Sequence, residues 1–337
     1  MGIRNLNRHL RDNCPESIRC MNMADISGKR IAVDISIYLY KYEAENALLE
    51  NMYVMLSIFR HYNIIPIFIF DGKPPVEKKA LLIKRKEDRA EAQEEYVKLK
   101  ISLESKDDDT EKQDIIVAMD HLKKQFVQVN KEKIEKVKCL IRAYGATYYD
   151  APGEADELCA LLVIKKKVWA CLSEDMDLFV YGCTRVLRYF SLIGHTIVLY
   201  YTKGILEELD ITQKEFKEIC VISGTDYNID SDLKNESKND TKNESNSDKK
   251  NLGKTFKHFR KFKNSNDPNN FYDWLSKNTD YISDSDIELL HNINKIFTLD
   301  ITPEKLCAFN NIKIVNCPIK QEEVENIMKE EDFIFCK

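Results

Sequence analysis

Between Gly28 and about Phe190, short apolar runs alternate with longer stretches in which apolar residues recur at helical spacing. The runs read KRIAVDI, IIPIFIFDG, ATYYDAPG and VWACLSED, and a helical pattern reaching about Tyr62 follows the first. Continuous apolar runs of this length mark strands buried on both faces, and strands alternating with helices build a parallel sheet. The pattern therefore predicts an α/β fold with a mainly parallel central sheet flanked by helices. Active sites in such sheets form at the carboxyl ends of the strands, so the residues ending each run carry the functional information.

Residues 76 to about 140 carry dense charge at helical spacing, interrupted near SKDDDT (105–110), and predict two long, solvated helices. These have the length to stand as an arch over about 75–130. The run DSDLKNESKNDTKNESNSDKK, between Ile229 and Asn251, holds a single apolar residue, Leu233. Such a segment cannot bury enough surface to order itself, so 229–251 is expected to be a disordered polar insertion. NLGKTFKHFRKFK then opens a smaller helical region. The expected organisation is a core over 1–228, the insertion, and a carboxyl-terminal helical region over 252–337.

Composition narrows this picture in two respects. The ten cysteines are scattered with no CxxC pair, and the opening MGIRNLNRHLRDNC lacks the continuous apolar core of a signal peptide. Both point to a reducing intracellular compartment, cytosol or nucleus, and no apolar stretch approaches the length of a membrane span. Leu6 also stands where a myristoylation motif after Gly2 wants Ser or Thr. The formal net charge is −5, so the chain has no global basic signature of nucleic-acid binding.

That balance changes if some acids are reserved for cations. The first strand ends with Asp34, the second with Asp71, and the fourth with Asp175 and Asp177 in ACLSEDMD. APGEAD places Glu154 and Asp156 in the first turn of a helix, and SGTDYN places Asp226 just after one. An Asp after a strand is ordinarily a turn former or helix cap. Seven acids gathered at element ends are different, because clustered carboxylates repel unless cations neutralise them, and oxygen ligands suit Mg²⁺ or Mn²⁺. Setting these seven aside moves the balance from −5 to +2. Asp175 and Asp177, two apart in an extended segment, project to one side. Helical geometry alone does not choose between Asp156 and Glu157 as the partner of Glu154.

MGI, VDISIY, FDGKPP, APGEAD, SEDMDLFVYG and SGTDYN, in that order, resemble the flap endonuclease and XPG family over about residues 1–228. A lone DG or GTD would carry no weight, but six ordered motifs are specific. The resemblance implies a PIN-like 5′ nuclease fold with a helical arch. It implies that Asp34, Asp71, Glu154, Asp156, Asp175, Asp177 and Asp226 are the metal-site acids for two Mg²⁺ ions, with Mn²⁺ as substitute, and it selects Asp156 over Glu157. Lys78 and Arg85, seven apart on one helix face, match family residues that contact the scissile phosphate. Gly2 resembles the family's residue lining the active-site cleft, and an aromatic of the stretch holding Tyr38 and Tyr40 would meet DNA.

The activity implied is structure-specific 5′ flap cleavage with 5′ to 3′ exonuclease action, by a monomer on branched or 5′-ended DNA in replication, repair or recombination. The alternatives are a DNA-binding scaffold of weak catalysis and a 5′ exonuclease acting on RNA. The family's Gly-x-Gly turn, which binds duplex backbone beside K⁺, survives here only as Gly253, with Asn251 suited to a left-handed turn. A K⁺ ion near Gly253 remains an expectation of the resemblance. Lys254, Lys257, Arg260, Lys261 and Lys263 follow with no acid between Asn251 and Lys263, and Phe256, Phe259 and Phe262 at helical spacing turn the other way, which suits binding of phosphates. EEDFIFCK is too weak a match to be claimed as a sliding-clamp peptide. Richness in Asn, Lys and Ile suits an AT-rich genome, such as a protist's or a large DNA virus's, which would add a viral replication site to the compartments.

Overall fold

A computed structural model describes residues 2–3, 5–104, 109–228, 251–299 and 309–335. Most of the expected insertion, 229–250, and the 105–108 part of the SKDDDT break lie outside the described residues. Among the described residues seven strands form one sheet: β1 (Ile18–Asn22), β2 (Arg30–Asp34), β3 (Ile65–Phe70), β4 (Thr147–Asp150), β5 (Ala170–Leu172), β6 (Arg185–Arg188) and β7 (Thr196–Tyr201). Their order is β1-β7-β6-β5-β2-β3-β4. The strands from β6 to β4 run parallel, and β7 and β1 extend the sheet antiparallel. The four apolar runs are the parallel strands β2 to β5. β1 escapes that pattern because it is an edge strand whose IRCMN side chains are half-buried or exposed.

The helices are α1 (Leu6–Asn13), α2 (Ser36–Ala44), α3 (Leu48–His61), α4 (Lys79–Glu104), α5 (Asp109–Gln125), α6 (Lys131–Ala143), α7 (Ala155–Ile164), α8 (Asp177–Val180), α9 (Thr202–Leu209) and α10 (Gln213–Ser223). α11 (Leu252–Ser265), α12 (Phe271–Asn278), α13 (Asp284–Ile296) and α14 (Gln321–Lys329) follow. The single helix expected up to Tyr62 is two, because Asn46 takes a left-handed conformation (φ 53°) between them. The charged stretch holds α4 and α5 as a hairpin, with Tyr96 and Phe126 in edge contact at 5.4 Å. α6 is separate, capped by the Asn130 side chain on the Lys133 N–H, and buries Val137, Leu140 and Ile141.

Successive strand residues point to opposite faces, and both faces are covered. Ala32, Ile67, Ile69 and Cys171 enter one core with α7 and α10. Ile31, Val33, Phe68, Phe70 and Leu172 enter the other with α2, α3 and α6. Phe256, Phe259, Phe271, Leu275 and Phe297 belong to the first core, and Val324 and Met328 of α14 to the second. The carboxyl-terminal helical region thus shares the cores of the sheet instead of building its own.

The loops after β3 and β4 touch backbone to backbone. Gly72 donates its N–H to the Gly153 carbonyl at 2.7 Å, and a Cβ at residue 72 would stand 2.0 Å from the Ala151 carbonyl oxygen. That contact brings the Asp71 loop against the loop carrying Glu154. Gly72→Ala is expected to cost about 1–3 kcal/mol through forced separation of the two loops. Urea unfolding checks this: the midpoint should fall at constant m-value, and an unchanged midpoint would show that the contact has room to spare.

Candidate active site

Asp34 closes β2 and is 6% exposed. Ser173, just past the end of neighbouring β5, donates its hydroxyl to Asp34 Oδ2 at 2.8 Å. This bond lies where the strand order reverses, since the chain runs from β2 outward through β3 and β4 and returns to β5 on the other side. Asp71, directly after β3, accepts from Ser36 Oγ at 2.5 Å and from the Ala155 N–H at 2.8 Å. It thereby caps the amino end of α7 from a different loop, where a carboxylate is favoured by the helix dipole. Glu154 occupies the N-cap position of α7 without capping it. Its side chain instead accepts from Lys78 Nζ at 2.6 Å and from the Tyr227 hydroxyl at 2.8 Å.

The remaining acids crowd the same edge. Asp156 is buried in the first turn of α7 and accepts from the Glu157 N–H at 2.7 Å. Asp175 and Asp177 are not extended as expected: Asp177 begins α8 and donates its N–H to Asp175 Oδ1 at 3.0 Å. Both still face Gly2, whose hypothetical Cβ would stand 2.5 Å from Asp175 Oδ1 and 2.5 Å from Asp177 Oδ1. Gly2 also has φ +76°, so only glycine serves there without strain or collision. Asp226, in the turn after α10, accepts from Arg85 Nη2 of α4 at 3.0 Å.

Burial and repulsion from neighbouring acids raise the proton affinity of Asp34, Asp156 and Asp177. Desolvation, then the charge of Asp71, lifts Asp34 to about 7, against the opposing Ser173 bond. Asp156 is raised by burial and then by Glu154, Asp175 and Asp177, and Asp177 by burial and then by Asp175, with Lys78 opposing in both. Each of the seven acids thus feels at least one other. Lys78, 9% exposed, is lowered by burial, but Glu154 and Asp156 outweigh this and hold it above its ordinary value.

The fit to divalent cations rests on two observations. Asp177 Oδ1 is buried with no hydrogen-bond partner, and it shares the space beside Gly2 with Asp175 Oδ1. Among the described residues no trio of acids, histidines or cysteines closes as a ready ligand set. The reason is visible in the pairs: Glu154 and Asp226 are turned to Lys78 and Arg85, and Asp71 to Ser36 and α7. The oxygen donors fit Mg²⁺ or Mn²⁺, and these pairs must loosen for ions to enter.

A cleft of about 770 Å³ opens beside this edge, lined by Asp71, Glu154, Lys78, Arg85, Arg89 of α4 and Lys124 of α5. Tyr40, 46% exposed, also lines it. Tyr38 does not meet the DNA-contact expectation: it is 2% exposed, its ring packs 5.8 Å from that of Tyr42, and no face is left for a base. Three residues that sequence reasoning missed hold the site. Ser173 ties β5 to Asp34, and Tyr227 clamps Glu154. Arg188, buried on β6, donates to the Glu174 carbonyl at 2.9 Å and pairs with its carboxylate at 3.2 Å, fixing the segment that carries Asp175 and Asp177. Tyr227 stood in the quoted SGTDYN motif, whereas nothing in RVLRYF marks Arg188.

α11 is amphipathic as expected. Phe256 and Phe259 are buried, while Lys254, Lys257, Arg260, Lys261 and Lys263 are exposed. Lys263 donates to the Asp210 carbonyl. Asn251 does not form a left-handed turn; it is the N-cap of α11 (φ −123°, ψ 153°), its side chain accepting from the Lys254 N–H, and Gly253 lies within the first helical turn.

Family models described as the XPG N-terminal domain and the XPG I-region match residues 1–92 and 145–226. The chain is similar to Flap endonuclease 1-A of Oryza sativa subsp. japonica, 32% identical over 246 residues that cover 67% of this chain and 62% of the relative. It therefore spans less than two thirds of the length of that curated relative. Among solved structures, the catalytic core of Rad2 in complex with DNA substrate matches with a TM-score of 0.61 and 20% identity, covering 98% of this chain and 94% of that one. Flap endonuclease-1 from Methanococcus jannaschii matches with a TM-score of 0.60 and 21% identity, covering 96% and 93%. The two domain matches and the shared fold agree with the six ordered motifs, and the chain belongs to the flap endonuclease and XPG family.

Proposed function

We propose that the chain is a structure-specific 5′ nuclease that cleaves flap and other branched or 5′-ended DNA, with two divalent ions, Mg²⁺ or Mn²⁺, at the seven-acid edge. The observation that carries this reading is the meeting of acids from β2, β3, α7, the β5–α8 segment and the α10 turn with Lys78 and Arg85. Asp34, Asp71, Glu154, Asp156, Asp175, Asp177 and Asp226 would hold the ions. Bound there, they supply neutralisation of the phosphate and a more acidic attacking water. Lys78 and Arg85 line the cleft with Asp71 and Glu154, where their charge would offset that building on the scissile phosphate. Tyr40 and the base of the α4–α5 hairpin position the unpaired strand, and the exposed basic face of α11 takes duplex backbone without reading bases.

Two results are expected. Lys78→Ala and Arg85→Ala should each lower kcat for a 5′-labelled flap DNA in Mg²⁺ by about 10²–10³-fold, the size of a lost transition-state donor. Affinity for the same DNA in Ca²⁺ should change only a few-fold. Normal kcat with lost affinity would assign both residues to binding alone, and cleavage of an RNA flap at the DNA rate would replace DNA with RNA as substrate.

The second result concerns pH. Asp34 titrates at about 7 in the native state, with Asp156 and Asp177 also raised, whereas unfolded Asp titrates near 4. Between these values the native state holds protons that the unfolded state has lost, so stability falls as pH rises through that window. In EDTA the melting temperature should drop between pH 5 and pH 8, Asp34→Asn should flatten the drop, and Mg²⁺ should restore more at pH 8 than at pH 5. A variant with an unaltered pH slope would contradict the placement of the burden on Asp34.

A further inference from the structure

A second groove, about 780 Å³, lies at the opposite end of the sheet, roughly 13 Å away along β2. It opens where β2, β5 and β6 begin and β7 ends. Lys29 and Arg30 come from the start of β2, Lys166 from the turn after α7, Arg185 from β6 and Lys203 from α9, and no Asp or Glu is among the described residues lining it. Lys29, Arg30, Lys166 and Arg185 form no ion pair among the described residues, and Lys203 has only an exposed i,i+4 pair with Glu207 at 3.5 Å. In a chain of net charge −5, this concentration of unrelieved positive charge calls for an external anion.

Two aromatic rings are set among the cations. The Arg185 guanidinium lies 5.4 Å from the Trp169 ring centre and 5.7 Å from that of Tyr201, and Lys29 Nζ lies 5.9 Å from Trp169. A guanidinium braced between rings is ordered before a ligand arrives, and its fork matches phosphate. Lys166 has an ordinary structural reason for its place, because the carboxyl end of α7 favours a cation. Lys203 has the reverse, since it sits in the first turn of α9 where the helix dipole disfavours positive charge.

We propose that this groove binds a single-stranded nucleic-acid segment through its phosphates, at a site separate from the carboxylate centre. Cations interleaved with aromatic rings along a concave surface are the features that hold unpaired strands without reading sequence. An acidic peptide is less well served, because the sheet's open edges are β1 and β4, and none is available here for a peptide strand to extend. The proposal is independent of the catalytic reading.

The chain supplies its own reporter. It has two tryptophans, and Trp274 is buried against Phe262 in the core, so Trp274→Phe leaves Trp169 as the sole tryptophan, excited selectively at the red edge beyond tyrosine absorption. Titration of that protein with oligo(dT) in EDTA, where no cutting occurs, should give a saturable change in Trp169 emission. Lys166→Ala with Lys203→Ala, both exposed and checked for unchanged melting, should weaken it at least tenfold and reduce the slope of log K against log salt by about 1.4. Lys277→Ala with Lys329→Ala, exposed and outside both the cleft and the groove, should leave it unchanged. No emission change, or one that ignores the Lys166 and Lys203 substitutions, would overturn the proposal. Equal competition by polyglutamate of the same charge would overturn it in favour of an acidic protein segment.

Discussion

Mutual repulsion among carboxylates at the carboxyl ends of β2, β3 and β5 is the constraint around which this molecule is arranged. The parallel sheet creates the meeting point, because the reversal of strand order between β2 and β5 leaves a crevice there. Placing Asp34, Asp156 and Asp177 in that crevice with little exposure is costly for charged groups, and each responds by holding its proton more tightly. The neighbouring architecture limits the cost with Ser173 on Asp34, Lys78 on Glu154 and Arg85 on Asp226.

Elements distant in sequence are recruited to hold this arrangement. Asn7 of α1 accepts from Arg188 at 2.7 Å and from the Tyr200 hydroxyl at 2.9 Å, and Arg188 in turn holds the Glu174 segment. The amino terminus is thereby fastened to the strands behind the Asp175–Asp177 pair, which accounts for the close seat of Gly2. From the other direction, Tyr227 bonds Glu154 while its ring packs edge-on against Phe297 at 5.5 Å. The carboxyl-terminal helices therefore buttress Glu154 of the acid edge as well as covering one face of the sheet. The α4–α5 hairpin contributes Arg85 and Arg89 from its base, coupling the placement of the hairpin to that of Asp226.

The central strands and the acids that end them were legible because a parallel strand buried on both faces must be continuously apolar, and its terminal acid interrupts that run abruptly. The helical start of α7 and the amphipathic α11 were legible from spacing for similar reasons. β1 was not, since an antiparallel edge strand needs no apolar run, and Asn46 gave no warning that its left-handed turn would divide α2 from α3. Tyr38 looked equivalent to Tyr40 because both lie close after Asp34, and only packing against Tyr42 separates a core ring from a cleft ring. Ser173, Tyr227 and Arg188 act through long-range bonds, which local spacing does not encode. The capped start of α11 is a further case, in which Asn251 solved by helix capping what a left-handed turn was expected to solve.

The central claim is that the acid edge is a cation site held in reserve by protons and by Lys78 and Arg85. Isothermal titration of Mn²⁺ into the DNA-free protein, repeated at pH 7 in buffers of different ionisation enthalpy, tests it most directly. The account predicts saturable binding accompanied by proton release, with Asp34→Asn reducing the protons released and Asp177→Asn weakening the binding. Binding without proton release, or binding indifferent to both substitutions, would contradict it.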